Sequence, residues 1–253
     1  MPLGGSQLIA PALSDNSLLN HFNTQFKTLH ADTPERLQMA HAIRYQVYCV
    51  ENPLESSSDN PSGFETDEFD AHSVHSLVVH RSSGAALATV RLILPQAHDS
   101  ECCFAVQRLL DVDSLRLLHE LPLRTTAEIS RFSISREATH HLRSCAPRRE
   151  RHETALERVS GPLARLGLIQ GIVRMSLQHG ITDWCALMEP ALLRMLSAMA
   201  IRFQPIGPAI QFRGIRQPCW LNVSTMLTAV MYERPRFWEL ITDAGTLGLS
   251  SAA

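Results

Sequence analysis

The spacing of apolar residues divides this chain into helices and strands. Thr33, Pro34 and Glu35 form a good helix start, with a capping residue, a proline and an acid in order. Apolar residues then recur at helical intervals at Leu37, Ala40, Ile43, Val47 and Val50. Further helices are predicted at about 17–29, 160–179, 190–200 and 223–242.

Other segments are short, rich in β-branched residues and bounded by turn residues, which is typical of strands. They are "SVHSLVVHR", "GAALATVRLILP", "AEISRFSISR" and "ITDWCALME", with one or two more within 203–223. The first two are predicted to pair as a hairpin. Because helices lie between the later strands, we predict an α/β fold with a mixed central sheet flanked by helices.

One large domain with appendages fits this order of elements and the length of the chain, 253 residues. We expect a leader and helix over 1–32, the main domain over 33–220, and a helical extension over 221–253. Within the main domain, 52–63 is turn-rich and is predicted to be a mobile loop. The basic segment 139–152 is predicted to be an exposed insertion.

Composition narrows the class of protein. Apolar residues make up 45% of the chain, enough for a core, and a formal net charge of −2 argues against nucleic acid as a partner. The cysteines form no CxxC pair, which favours reduced thiols and a cytoplasmic protein. We recognise neither a signal peptide nor an apolar run of about 18 residues that a membrane helix needs.

Charged residues occur where the pattern predicts burial. Arg44 lies in a mostly apolar helix, Arg91 in a strand, and Glu128 and Arg131 in another strand. Buried charges require partners. The acids of "ETDEFD", at 65–70, can supply them, so the sequence predicts one cluster of arginines and carboxylates.

Several motifs resemble a known family when taken in order. They are "RYQVYCVE", "DEFDAHSVH", "EISRFSISR", "GITDWCALMEPALLRML" and "IGPAIQFRGIRQP". This series resembles the acyl-homoserine-lactone (autoinducer) synthases and, more fully, the N-acyl amino acid synthase branch associated with the PEP-CTERM/exosortase system. The resemblance implies a GNAT-like acyltransferase fold for the main domain. It also implies transfer of a medium or long acyl chain to the amino group of an amino acid or similar small amine.

Residue roles follow from the same resemblance. Glu128 matches the proposed general base of those synthases, which acts directly or through a water. The residues that match their amine-substrate end are Arg44, Tyr48, Asp67, Asp70, Arg91 and Arg131. The resemblance implies no permanently bound cofactor; the co-substrate is an acyl-phosphopantetheine thioester on acyl carrier protein or coenzyme A. Peripheral membrane contact through the lipid product is a further expectation.

The sequence departs from the usual acetyltransferase pattern at one place. That pattern has a glycine-rich pyrophosphate loop after the central strand, whereas "SREATHHLRSCAPRRERHE" contains no glycine. We therefore favour acyl carrier protein over coenzyme A as the donor. The residues expected to meet the acidic carrier protein are Arg143, Arg148, Arg149 and Arg151.

Three alternatives stay open at this level. The charged cluster is equally consistent with a structural ion-pair network. His72 and His75 invite a metal reading, but strand alternation points them to opposite faces, so no metal is predicted. The alternatives to this acyl transfer are an acetyl-coenzyme A-dependent N-acetyltransferase and a non-catalytic adaptor that binds acyl carrier protein or lipid.

Overall fold

A computed structural model describes residues 18–96, 103–145 and 154–247. Its helices are α1 (Leu18–Gln25), α2 (Pro34–Tyr45), α3 (Val112–His119), α4 (Arg136–Cys145), α5 (Thr154–Gln178), α6 (Pro190–Ala198), α7 (Val223–Glu233) and α8 (Pro235–Ile241). A π-helix, Gln46–Glu51, continues α2, and 3-10 turns cover Glu68–His72, Val106–Leu109 and Leu123–Thr125. Among the described residues, none of the helices combines the length and apolarity required to cross a membrane.

The strands form a sheet in the order β1-β2-β3-β4-β5-β8-β6, with β7 paired to β8. They are β1 (Phe26–His30), β2 (Ser73–His80), β3 (Ala86–Ile93), β4 (Thr126–Ile134), β5 (Asp183–Met188), β6 (Gln204–Pro205), β7 (Ile210–Gln211) and β8 (Ile215–Asn222). Only the β4–β5 pair is parallel among the pairings of the described strands. The α/β class and the β2–β3 hairpin are therefore confirmed.

The parallel pair β4–β5 parts in the middle of the sheet. Its register runs from Thr126 opposite Asp183 to Ile129 opposite Ala186, and β4 then continues beside β3 alone. Here β4 contains a bulge, because two steps of β3 face three steps of β4 around Arg131. Arg131 has φ of 52°, a left-handed conformation that few non-glycine residues adopt. The bulge turns the end of β4 away from β5 and leaves a gap between β4 and β5.

One segment differs from the predictions. The helix predicted over about 17–29 ends at Gln25, and Phe26–His30 is an edge strand antiparallel to β2. Phe26 and Thr28 are buried, so alternation with period two prevails over the helical reading. The first part of the exposed insertion predicted over 139–152 is helical, since it lies within α4 (Arg136–Cys145); 146–153 lies outside the described residues.

Helix α5 packs closely across the face formed by β1–β4. A Cβ atom placed on Gly171 would lie 2.2 Å from Ser76 Oγ on β2 and 2.7 Å from Ser76 Cβ. One placed on Gly161, in the same helix, would meet nothing nearer than 3.8 Å. Glycine at 171 is therefore required by the distance between helix and sheet.

Replacing Gly171 by alanine is expected to lower the free energy of unfolding by about 1–3 kcal/mol, because the helix must move off the sheet. Gly161→Ala is the matched control and is expected to be neutral or to stabilise by up to about 1 kcal/mol through helix propensity. Urea unfolding of both variants measures the difference. Equal effects would mean that helix propensity alone governs both positions.

Candidate active site

A cleft of about 1000 Å³ lies where β4 and β5 part. Its polar wall includes the predicted site residues Tyr48, Asp67, Glu128 and Arg131. Its apolar wall includes Ile129, Phe132, Ile134, Leu187, Met188 and Leu192. The cleft thus joins a charged end to an apolar channel between the two strands.

Glu128 is a buried carboxylate on the wall of this cleft. It lies on β4 opposite Cys185 of β5, and its Oε2 accepts a hydrogen bond of 2.9 Å from the backbone N–H of Val106. Burial raises the pKa of Glu128 to about 7 from an ordinary 4.5, although that hydrogen bond works in the opposite direction. A carboxyl group with this pKa can both accept and release a proton near neutral pH.

An ion-pair cluster lies beside Glu128. The guanidinium of Arg44 donates to Glu65 over 2.5 Å and to Asp70 over 2.6 Å. Arg91 donates to Asp67 over 2.5 Å and to Asp70 over 2.8 Å. Because Asp70 accepts from both arginines and Glu65 and Asp67 each accept from one, three of the four carboxylates of "ETDEFD" are held together by cations, as predicted for Asp67 and Asp70.

Arg131 completes the cluster from the bulge of β4. It donates to Glu65 over 2.8 Å and to Asp67 over 3.0 Å. Its guanidinium also lies over the ring of Tyr48, 5.4 Å from the centroid. The left-handed backbone of Arg131 thus places a strand residue against the loop that carries the acids.

The turn Glu68–His72 fixes the positions of the acids Asp67 and Asp70. Asp67 and Asp70 form a capping box on the turn Glu68–His72, in which each side chain accepts a hydrogen bond from backbone N–H groups of the turn. Glu68, between them, points outward and pairs with the exposed Arg108. The one-turn helix therefore sends two carboxylates inward and one to the surface.

Two carboxylates of the cluster, Asp70 and Glu65, are ionised at neutral pH. Burial alone would raise the pKa of Asp70, but hydrogen bonds from His75 and Arg44 hold it well below its usual range. Burial likewise opposes ionisation of Glu65, yet hydrogen bonds from Arg131 and Arg44 lower its pKa to about 2. Burial lowers the pKa of His41 to about 4, so this neighbouring imidazole is neutral.

The predicted site residues fall into two layers. Asp67, Tyr48 and Arg131 line the cleft together with Glu128. Arg44, Asp70 and Arg91 do not line it; the two arginines are fully buried behind the first layer. This separation was not foreseen, because the sequence could suggest that the charges meet but not which of them reach the cavity.

Three further residues of the site were missed. Glu65 is the acid shared by Arg44 and Arg131, and it was visible in "ETDEFD" but was not selected. Glu55 and Arg213 pair with each other on the cleft wall, from segments far apart in sequence. Nothing in the local sequence of either residue signals this pairing.

Potential metal-ligand atoms of His41, Asp70 and His75 lie within 4.8 Å of one another. Asp70 Oδ1, however, already accepts hydrogen bonds from Arg44 and Arg91, so a cation there would face two guanidinium charges. His72 lies apart, with Nε2 3.0 Å from the carbonyl oxygen of Cys103. These contacts fit an ion-pair network better than a metal site.

Helix α4, which follows β4, has its N-terminus capped by an acid from another part of the chain. Backbone N–H groups of Arg136 and Glu137 donate to the carboxylate of Glu51 over 2.9 and 3.1 Å. Glu51 thus occupies donors that could otherwise bind an anion at this helix N-terminus. Of the arginines predicted to meet a carrier protein, Arg148, Arg149 and Arg151 lie outside the described residues, and Arg143 is described only in its backbone.

Comparisons with known proteins show which domain family and which solved structures this chain is similar to. Residues 43–142 match the acetyltransferase (GNAT) domain family. The fold is similar to that of the acyl-homoserine-lactone synthase LasI, with 17% identity, 77% of this chain and 88% of that chain covered, and a TM-score of 0.51. No curated protein matches the chain by sequence.

Two other solved structures are similar to this fold to about the same degree. FeeM, an N-acyl amino acid synthase from uncultured soil microbes, is 12% identical over 82% of this chain and 96% of its own, with a TM-score of 0.52. BjaI, a coenzyme A-dependent acyl-homoserine-lactone synthase solved with SAM and isopentyl-CoA, is 17% identical over 90% of both chains, with a TM-score of 0.52. The chain therefore has the GNAT fold, and the match over residues 43–142 identifies a GNAT-type acyltransferase domain within it.

Proposed function

We propose that this protein is an N-acyltransferase that moves a medium or long fatty acyl chain from a phosphopantetheine thioester to the amino group of an amino acid or related small amine. The observation that carries this proposal is the burial of Glu128 in the cleft between β4 and β5, with a pKa raised to about 7. A base of that strength is suited to an ammonium substrate at neutral pH.

The reaction requires few groups. Glu128 takes a proton from the ammonium of the acceptor, directly or through one water. The free amine attacks the thioester carbonyl carbon, and backbone N–H groups at the parted strands stabilise the oxyanion of the tetrahedral intermediate. The C–S bond then breaks, the attached nitrogen gives up one further proton to the departing thiolate, and an amide and a free thiol remain. No covalent acyl-enzyme is needed, because proximity and a base suffice.

The other residues take roles according to their layer. Tyr48, Asp67 and Arg131 shape the amine end of the cleft, which they line. Arg44, Asp70 and Arg91 act from behind, as positioning residues that hold this wall in place. The acyl chain lies along the apolar wall between β4 and β5.

Acyl carrier protein is the donor that we favour. The glycine-free segment after β4 and the carboxylate of Glu51 at the start of α4 both disfavour a pyrophosphate at this helix. Exchanging Arg143, Arg148, Arg149 and Arg151 for glutamate is expected to raise KM for acyl carrier protein about tenfold or more and to leave KM for acyl-coenzyme A nearly unchanged. An unchanged KM for the carrier protein would remove these arginines from the interface.

Among acyltransferases of this fold, the kind that we favour for this chain is an N-acyl amino acid synthase. Neighbours that share the fold include synthases of acyl-homoserine lactones and of N-acyl amino acids. The motif series supports the second kind, in the PEP-CTERM/exosortase-associated branch, acting in the cytoplasm with membrane contact only through the lipid product.

Mass spectrometry of lipid extracts tests the reaction class. A bacterial host that expresses the protein is expected to accumulate N-acyl amino acids absent from the empty-vector strain, which would identify the chain and the acceptor. If extracts match, purified protein is assayed with acyl carrier protein, acyl-coenzyme A and amino acid mixtures. Acetyl transfer alone would support the N-acetyltransferase, and acyl binding without turnover would support the adaptor.

A further inference from the structure

An ion pair joins two distant segments on the wall of the cleft. Glu55 follows the π-helix, and Arg213 lies in the turn between β7 and β8, 158 positions further along the chain. The contact is bidentate: Arg213 Nη1 donates to one carboxylate oxygen of Glu55, and Nη2 donates to the other over 2.7 Å. Both residues line the cleft, so the carboxylate lies where a ligand can reach it.

Charge pairing distinguishes Arg213 from the arginines of the cluster. Arg44, Arg91 and Arg131 each have two partners among Glu65, Asp67 and Asp70. Glu55 reaches this inner group only at 3.5 Å, through Arg131. Among the described residues, Arg213 has no carboxylate partner except Glu55. If the Glu55 side chain turned away, Arg44, Arg91 and Arg131 would stay paired, and Arg213 would be left on the cleft wall without a carboxylate partner.

The backbone allows that side-chain rotation without unfolding the loop. The N–H groups of Leu54 and Glu55 donate to the carbonyl oxygen of Tyr48 over 2.9 and 3.0 Å, which holds the chain at this point. The Glu55 side chain is 18% exposed and that of Arg213 is 36% exposed, so both adjoin solvent. Arg213 also lies against the ring of Phe212, which limits where its guanidinium can go.

We propose that Arg213 is the residue that binds the carboxylate of the acceptor, and that Glu55 occupies this position until the acceptor displaces it. The inference rests on the proposed function and names its substrate class, an amine that carries a carboxylate. A guanidinium fork suits the two oxygens of a carboxylate. The exchange replaces one carboxylate by another, so the charge balance of the cleft wall is kept, while the amine of the acceptor is left for Glu128.

Kinetics with paired acceptors tests the proposal. The acceptors are amino acids and the corresponding carboxamides, in which a neutral amide of similar size replaces the carboxylate. Arg213→Met is expected to raise KM for the amino acid about tenfold or more, with a smaller change in kcat and little change for the amide. Glu55→Gln is expected to lower KM for the amino acid, because the competitor has lost its charge. A higher KM in Glu55→Gln would assign Glu55 to the ammonium and overturn the proposal.

Arg202→Met is the matched control. Arg202 forms a second bidentate pair, with Glu233, at 2.6 and 2.5 Å on an exposed surface outside the cleft. Its loss is expected to leave the preference for amino acid over amide unchanged. Equal losses of both acceptors in Arg213→Met, or equal effects of Arg213→Met and Arg202→Met, would mean that the Arg213–Glu55 pair is structural only.

A binding measurement separates this proposal from the reaction itself. Calorimetry with N-dodecanoylglycine and N-dodecanoylglycinamide reports recognition without turnover. Wild type is expected to bind the carboxylate more tightly, and Arg213→Met to lose that difference. If no amine is acylated but this pattern appears, the proposed function fails and the carboxylate site stands. Equal binding of the two probes by wild type, or binding of neither, overturns the site.

Discussion

Replacing Glu128 by glutamine is expected to lower kcat for acyl transfer by about 10²–10⁴-fold, the usual contribution of a general base. Glutamine has the same shape and can still accept the hydrogen bond from the Val106 N–H. What it cannot do is take a proton from the acceptor ammonium. Turnover of acyl-carrier-protein thioester with an amino acid measures the effect.

The pH dependence gives a second signature of the same residue. Because the base must be ionised, kcat/KM of the wild type is expected to rise with pH up to about 7 and then to level off. Glu128→Gln is expected to lose this limb along with most of its activity. Glu189→Gln is the control, since this acid also lines the cleft but is 57% exposed, and its profile is expected to keep the limb. An unchanged profile in Glu128→Gln would assign the proton transfer to another group.

Glu128→Gln is expected to lower activity but to raise the free energy of unfolding near neutral pH and above. The folded pKa of Glu128 lies near 7 and the ordinary value is 4.5, so between these values the folded protein holds a proton that the unfolded chain has released. Stability from this group is complete below about pH 4.5 and is lost as pH rises through 7. At pH 8 the glutamine variant should therefore be more stable than wild type, by roughly 3 kcal/mol at most. An inactive but stabilised variant excludes misfolding as the cause of the lost activity.

Sequence patterns predicted the elements whose burial is locally regular. The β2–β3 hairpin, β4, β5 and the helix that became α5 all have apolar residues in a single period, so their type follows from local information. Strand β1 was missed because its five residues follow directly on a helix, and only pairing with β2 fixes their conformation. Short edge strands depend on a partner that the local sequence does not show.

The sequence could predict which charged residues meet in the site, but not which of them line the cleft and which lie behind it. Charges in apolar segments must be paired, which identified Arg44, Arg91 and Arg131 with the acids of 65–70. The positive φ of Arg131 and the bulge that decides which side chains reach the cleft arise from the mismatch of β3 and β4. The pairing of Glu55 with Arg213 joins two exposed turns, a class of contact for which no periodicity exists.

Replacing Asp70 by asparagine is expected to lower the free energy of unfolding by about 3–5 kcal/mol at pH 7. Asp70 Oδ1 accepts hydrogen bonds from Arg44 and Arg91, both without exposed surface, so its loss leaves two buried guanidiniums short of a charge. Glu68→Gln is the matched control two residues away. Its pair with Arg108 is exposed, with side chains 62% and 50% accessible, and the change is expected to stay within about 0.5 kcal/mol.

The pH dependence of this difference tests its electrostatic origin. The pKa of Asp70 is held well below its ordinary 3.8, so the folded state keeps this carboxylate ionised where the unfolded chain takes up a proton. The stabilisation is present above about pH 4 and is lost as pH falls below the unfolded value. The gap between wild type and Asp70→Asn, measured by urea unfolding, should therefore be constant from pH 5 to 7 and narrow on acidification. A gap that stays the same at low pH would point to lost packing or geometry, because a charge-based network must weaken once its acid is protonated in the unfolded chain.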